Sequence, residues 1–229
     1  MNVARYGTTA VEVPQILADD QQLNLVACSD PAVLADIYEP KTNIAIWQRS
    51  LSERLQCLVG EFVASRKQPY TSVICTPAGA RPQLLKEFGS SDFSTLVDDA
   101  NELIDMFCCL FDLNQVGLRM TVLREAMCPK FHVDHVPCRL VTTYDGMGTQ
   151  WLPNCAVNRD KLGVGSAGLS DQESGLYGSE SDIRQIAAAD VALLKGEAWP
   201  GTQNAGLVHR SPMIPSGENR LLLTLDFTN

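Results

Sequence analysis

The spacing of hydrophobic positions changes about midway along the chain, from a helical period to a strand period. Over residues 93–111, Phe93, Leu96, Ala100, Leu103, Ile104, Phe107 and Leu110 recur every three or four positions, with Asp98, Asp99, Glu102 and Asp105 opposite. That pattern predicts an amphipathic helix with one core-facing stripe. A second helix is predicted after Ser50, where Ser50 and Glu53 have capping-box spacing and Leu51, Leu55, Leu58, Val59 and Phe62 follow on one face. Upstream, residues 25–28 read as a short strand, and Asp30 with Pro31 opens a helix over 32–38. Residues 43–47 and 71–76 read as extended, the second broken by the Pro/Gly-containing run 77–82.

After Asn114 the apolar runs are short and β-branched or leucine-rich: 116–124, 139–144, 191–194 and 220–227, separated by Gly and Pro. Strands without intervening helices predict an antiparallel sandwich or jelly roll. In the last run Arg220, Leu222 and Thr224 face one way, and Leu221, Leu223, Leu225 and Phe227 the other. A strand that is apolar on its second face needs a cover, and the 93–111 helix with its neighbours is the expected one. The expected organisation is a mixed α/β region, 1–115, packed on a β core, 116–229. Residues 163–182 are rich in Gly and Ser and tied at both ends. They are expected to be a mobile lid or a tolerated insertion.

Candidate chemistry concentrates in two segments, because the three histidines are His132, His135 and His209. On a strand, residues i and i+2 project to the same side, so His132 and Asp134 can grip one ion while Val133 faces away. With His209 they make two imidazoles and one carboxylate, which suits a mononuclear Fe(II) site with open positions for an oxo acid and O₂. Arg220 follows as a fixed cation for an anionic cosubstrate. Plainer readings stand beside these: strand histidines as satisfied core groups, Arg220 as an ion-pair partner of Glu197 or Asp226, and Tyr144 and Trp151 as packing. A further reading keeps a metal and drops the chemistry. Cys128, His132, His135 and Cys138, with Cys155, offer soft ligands for zinc in a sensor, store or delivery protein, although their spacing is irregular for a zinc finger.

The blocks FHVD, RLVTTY and GTQWLP, then VALLKGEAW, then His209, Pro212, Gly217 and Arg220 in that order, resemble the prolyl-hydroxylase type of 2-oxoglutarate/Fe(II) dioxygenase over roughly residues 116–229. At a finer level, RLVTTYDGMGTQWLP, LLKGEAWPG, GLVHRSP and RLLLTLDF resemble the signature blocks of a bacterial family, the domain of unknown function 1826, over nearly the whole chain. The dioxygenase resemblance implies an α+β fold with a double-stranded β-helix core and N-terminal helices on its outer face. It implies Fe(II) held by His132, Asp134 and His209, with 2-oxoglutarate anchored by Arg220 and by Tyr144 or Thr224. Many members carry a hydroxyl residue two positions after the basic one, and here that position is Leu222. A catalytically inactive β-helix used for interaction is the remaining alternative.

Composition narrows the partners. The 229 residues are 45% hydrophobic and 20% charged, enough to bury a full core. A net charge of −9 argues against a general nucleic-acid or anionic-membrane binder, leaving a small molecule or a protein side chain as the expected substrate. The first twenty residues lack an apolar stretch of signal-peptide length, and no run approaches the roughly 18 apolar residues of a spanning helix. The cytoplasm is the expected compartment. The eight cysteines then read as thiols, with Cys57, Cys108 and Cys109 inside helical patterns.

Overall fold

The structure, a computed structural model, describes residues 24–65, 70–89, 91–201 and 204–228. The start of the chain read above for a leader lies outside those residues. The strands are β1 (Asn24–Cys28), β2 (Thr42–Trp47), β3 (Tyr70–Cys75), β4 (Val116–Leu123), β5 (Cys138–Asp145), β6 (Gln150–Leu152), β7 (Arg184–Gln185), β8 (Val191–Lys195), β9 (Val208–Arg210) and β10 (Arg220–Asp226). A large sheet has the order β1-β2-β8-β5-β10-β4-β3 and a small one the order β7-β6-β9. Pairing is antiparallel except between β1 and β2. A single bridge from His132 to His209 extends the small sheet beyond β9.

From β4 onward the chain alternates between layers. It runs through β4 in the large sheet, His132 in the small, β5 in the large, β6 and β7 in the small, β8 in the large, β9 in the small, and β10 in the large. Four strands in the order β8-β5-β10-β4 face four in the order β7-β6-β9-His132, which is a double-stranded β-helix in an α+β protein. The preceding region supplies more than helices: β2 pairs with β8 and β3 with β4, widening the large sheet on both sides.

Three helices, α1 (Glu53–Ser65), α2 (Pro77–Phe88) and α3 (Ser94–Phe111), cover the outer face of the large sheet. The α3 stripe of Leu96, Ala100, Leu103, Ile104 and Phe107 is buried in one cluster with Leu221, Leu223 and Leu225 of β10. Each such leucine contributes about 1.5–3 kcal/mol on leaving water. No helix among the described residues is long and apolar enough to cross a membrane.

Some local expectations change. Pro31–Tyr38 winds as a 3₁₀ helix, with the Asp30 side chain accepting from the Ala32 N–H. The run after residue 76 forms α2: Thr76 caps it by accepting from the Gly79 N–H, and Pro77 takes the first turn, where a missing N–H leaves no bond unmade. Ala80, Leu84 and Phe88 then bury one face. The 163–182 segment is fastened down, where a mobile lid was one expectation. Leu176 and Tyr177 are buried with Phe131, and the Asp171 carboxylate accepts from the Phe131 N–H at 2.9 Å.

One buried polar knot joins sheet and helices. Arg49 forms a forked pair with Asp99 of α3 at 2.7 and 3.0 Å, and the Tyr144 hydroxyl of β5 donates to the same carboxylate at 2.6 Å. Tyr144→Phe is expected to cost about 1.5–3 kcal/mol, the range for hydrogen bonds to charged groups. Asp99→Ala, which strands a buried guanidinium, is expected to cost about 3–5 kcal/mol. Urea unfolding measures both, and equal losses would contradict the shared-carboxylate arrangement.

Candidate functional site

The site starts from the backbone. The His132 N–H donates to the His209 carbonyl at 3.0 Å and the His209 N–H returns the bond at 2.9 Å. Directly opposed antiparallel residues project from one face, so their rings lie side by side, with centroids 4.7 Å apart. Asp134 comes round to the same side, its carboxylate oxygens 3.7 Å from His132 Nε2 and 3.4 Å from His209 Nε2. The ligand atoms of His132, Asp134 and His209 all lie within 4.8 Å of one another, and theirs is the one such group of three among the described residues.

Both rings are oriented from behind. His132 Nδ1 sits 3.0 Å from the Lys130 carbonyl and His209 Nδ1 3.1 Å from that of Leu207. A carbonyl only accepts, so each ring carries a proton on Nδ1 and turns Nε2, the nitrogen a metal would take, toward Asp134. Burial and then the neighbouring His209 lower the His132 pKa, which favours the neutral ring. Burial alone would raise the Asp134 pKa. The hydrogen bond and charge of His209, with the charges of Arg139 and His132, outweigh it and bring the value to about 2. Two neutral imidazoles and one ionised carboxylate are a donor set for a divalent transition metal.

The turn after β8 presses Asp134 into place. The Glu197 N–H donates to the Asp134 carbonyl at 2.8 Å, and a Cβ at Gly196 would lie 2.6 Å from that oxygen and 2.0 Å from the Val136 carbonyl. Only glycine permits that approach. Arg139 of β5 donates to Asp134 at 2.8 Å and grips Asp226 at 2.6 and 3.2 Å, so the ligand carboxylate has a fixed cation behind it.

A cavity of about 280 Å³ opens beside the cluster, lined among others by His132, His209, Arg139, Arg220, Leu222 and Thr224. The inward face of β10 is therefore the one its alternation predicts. Arg220 is 1% exposed. It donates to the hydroxyls of Ser211 at 3.0 Å, Thr143 at 3.1 Å and Thr149 at 2.8 Å, and among the described residues it meets no carboxylate. Neither of its proposed ion-pair partners reaches it: Glu197 pairs with His135 at 2.8 Å, and Asp226 with Arg119 and Arg139. Burial lowers the Arg220 pKa only to about 10, so the cation persists at neutral pH. Thr224 Oγ1 is buried without a hydrogen-bond partner among the described residues.

Tyr144, a candidate anchor for the oxo acid, lies elsewhere: it points out of the opposite face of β5 to Asp99. Thr143, the neighbour of Tyr144, is the residue that meets Arg220, because adjacent strand residues face opposite ways. The sequence reading also missed Thr149 and Ser211. The soft-ligand cluster does not assemble: His135 is exposed, Cys138 is buried with its thiol pKa pushed far up by burial, and Cys155 is exposed. Cys128 lines the cavity as a single thiol.

The pattern of the family described as Protein of unknown function (DUF1826) matches residues 28–226. The chain belongs to that family. No curated protein matches the sequence. Among solved structures, the chain is similar in shape to the dioxygenase for auxin oxidation 1 from Arabidopsis thaliana in its 2-oxoglutarate complex. The TM-score is 0.48 at 8% identity, over 89% of this chain and 91% of that one. It is also similar to a Pseudomonas putida prolyl-4-hydroxylase, with a TM-score of 0.43 at 12% identity, over 86% of this chain and 97% of that one.

Metal titration checks the cluster. One divalent ion per chain is expected, and His132→Ala or His209→Ala should weaken it by more than about 100-fold. Arg139→Gln should weaken it by about 10–100-fold, as for partners that orient a ligand. Cys128→Ser and Cys155→Ser should leave it unchanged. Loss of the ion in either cysteine variant would refute the His-Asp-His assignment.

Proposed function

We propose that this DUF1826 protein is a 2-oxoglutarate- and Fe(II)-dependent oxygenase. The observation that carries the reading is Arg220, a fully buried guanidinium beside a metal-ligand cluster and surrounded by hydroxyls with no counter-anion among the described residues. Burying an unpaired cation costs several kcal/mol, and a metal site alone gives no reason for one. A dicarboxylate oxo acid does: its far carboxylate pairs with the guanidinium fork.

The residues present fit both groups. His132, Asp134 and His209 would hold the metal through two Nε2 atoms and one carboxylate oxygen, leaving other positions for the oxo acid and O₂. Thr143, Thr149 and Ser211 accept from Arg220, so each keeps its own hydroxyl hydrogen to donate to a bound carboxylate. Thr224 offers one further hydroxyl from the cavity wall. The chemistry that Fe(II) supplies in such a site is O₂-dependent decarboxylation of 2-oxoglutarate to succinate and CO₂, with the second oxygen atom transferred to a substrate. This chain's residues anchor the acid and orient its keto end toward the ligand cluster, and Arg139 holds the Asp134 carboxylate from behind at 2.8 Å. A zinc-binding role at the same three ligands, or a non-catalytic interaction role, leaves Arg220 without a purpose.

Calorimetric titration of 2-oxoglutarate into the metal-loaded protein tests the proposal. Arg220→Ala should weaken binding by about 1.5–3 kcal/mol, the scale of a charge-assisted contact, with metal content unchanged. Arg220→Lys should recover part of that, since it keeps the charge and loses the fork. Absence of 2-oxoglutarate binding to the iron-loaded wild type would end this reading.

A further inference from the structure

We infer that the molecule oxidised in this cavity is a small organic carboxylate with a hydrocarbon body, recognised through Arg119; this rests on assigning Arg220 to the oxo acid. Arg119, Thr121 and Leu123 of β4 all line the cavity. The register sets Leu123 opposite Arg220 and Arg119 opposite Thr224. Four residues at about 3.3 Å each place the Arg119 row about 13 Å from the Arg220 row. The cavity therefore has a cation at each end, and a single oxo acid anchored at Arg220 leaves the Arg119 end for something else.

Charge balance at that end calls for an anion. Arg139 contacts both oxygens of Asp226, and Arg119 reaches the same carboxylate through Nη2 alone. The other carboxylate beside Arg139 is Asp134, which the metal takes. Arg119 and Arg139 are balanced by Asp226 and Asp134, so a divalent metal on Asp134 that also carried the near carboxylate of the oxo acid would leave this end one net positive charge. Arg119 Nε and Nη1 have no partner among the described residues, and its side chain is 40% exposed. Those two nitrogens remain open to a ligand that enters the cavity Arg119 lines.

The wall between the two ends is apolar on the β4 side, with Leu222 and Tyr70 in the Thr121 row and Leu123 opposite Arg220. Leu123, Leu222, Tyr70 and Met127 line the same cavity, and Tyr70 and Met127 are each 53% exposed at its mouth. Exposed large apolar side chains rimming a cavity mark a surface that a ligand covers. The cavity is about 280 Å³ and the oxo acid takes part of it, so the space left suits only a small molecule. One carboxylate on a short aliphatic or aromatic body matches the surplus charge and the walls together.

The test compares 3-phenylpropanoate and hexanoate with their neutral amides, titrated into zinc-loaded protein saturated with 2-oxoglutarate and into zinc-loaded Arg220→Gln protein. The acids should bind at least tenfold more tightly than the amides in both. Arg119→Gln should abolish that preference while changing 2-oxoglutarate affinity less than twofold. Arg220→Gln should do the reverse. Arg119→Lys guards against a folding defect: acid binding should fall while the acid still exceeds the amide. Equal binding of acid and amide, no binding of either acid, or an Arg119→Gln variant that keeps the preference would each overturn the proposal. Failure of 2-oxoglutarate to bind the wild type would remove the oxo-acid reading instead, and the acid preference of the zinc-loaded Arg220→Gln protein is measured independently of it.

Discussion

The mutual backbone exchange between His132 and His209 is the contact on which the site depends. It closes the fourth row of the small sheet and, in the same act, brings residues 77 positions apart in sequence into direct opposition. No side-chain attraction is needed to assemble the cluster. Desolvation opposes gathering two imidazoles and a carboxylate in one place. The ladder bonds supply the convergence, and neighbouring groups tune it: the Lys130 and Leu207 carbonyls orient the rings through Nδ1, and Arg139 grips the Asp134 carboxylate.

The large sheet separates two chemistries on its two faces. Outward, β10 gives Leu221, Leu223 and Leu225 to a helix-covered core; inward it gives Arg220, Leu222 and Thr224 to the cavity. The same parity holds on β5, where Arg139, Val141 and Thr143 turn inward and Leu140 and Tyr144 outward. Tight packing of α3 on the outer face leaves the sheet little freedom to deform, so inward side chains keep their spacing. The fastened 163–182 segment extends this support to the strand bearing His132, through Asp171 and the Phe131 N–H.

Much of this was legible in the chain, and the failures are informative. The α3 stripe and the alternation of β10 could be read directly, because each has one polar and one apolar face. The same-side placement of His132 and Asp134 followed from strand geometry alone. On β5 the alternation fails, since nearly every position is buried. Nothing local shows which parity faces the cavity, so the resemblance that offered Tyr144 or Thr224 could not be checked against the alternation, and Thr143 was passed over. Strands β6, β7 and β9 span two or three residues, too short for any period to register. The helix α2 was hidden because Pro77 and Pro82 read as breakers, although Thr76 before Pro77 is a capping signal.

Net charge was also a poor guide to the cavity. The chain carries −9 overall, yet three arginines line the cavity. The global figure describes solvated surface, whereas recognition depends on charges that are screened little because they are enclosed. Arg220 shows the consequence for stability. Burial lowers its pKa from the ordinary arginine value to about 10, so the folded chain bears the cost of a charged group at every pH below that, and relief by deprotonation begins only above it. At neutral pH, relief has to come from an anion instead. A ligand that pairs with Arg220 binds the folded state alone and adds about 2.7 kcal/mol of stability at a hundred times its dissociation constant. The strain of one unpaired cation and the affinity for an anionic cosubstrate are therefore the same free energy seen from two sides.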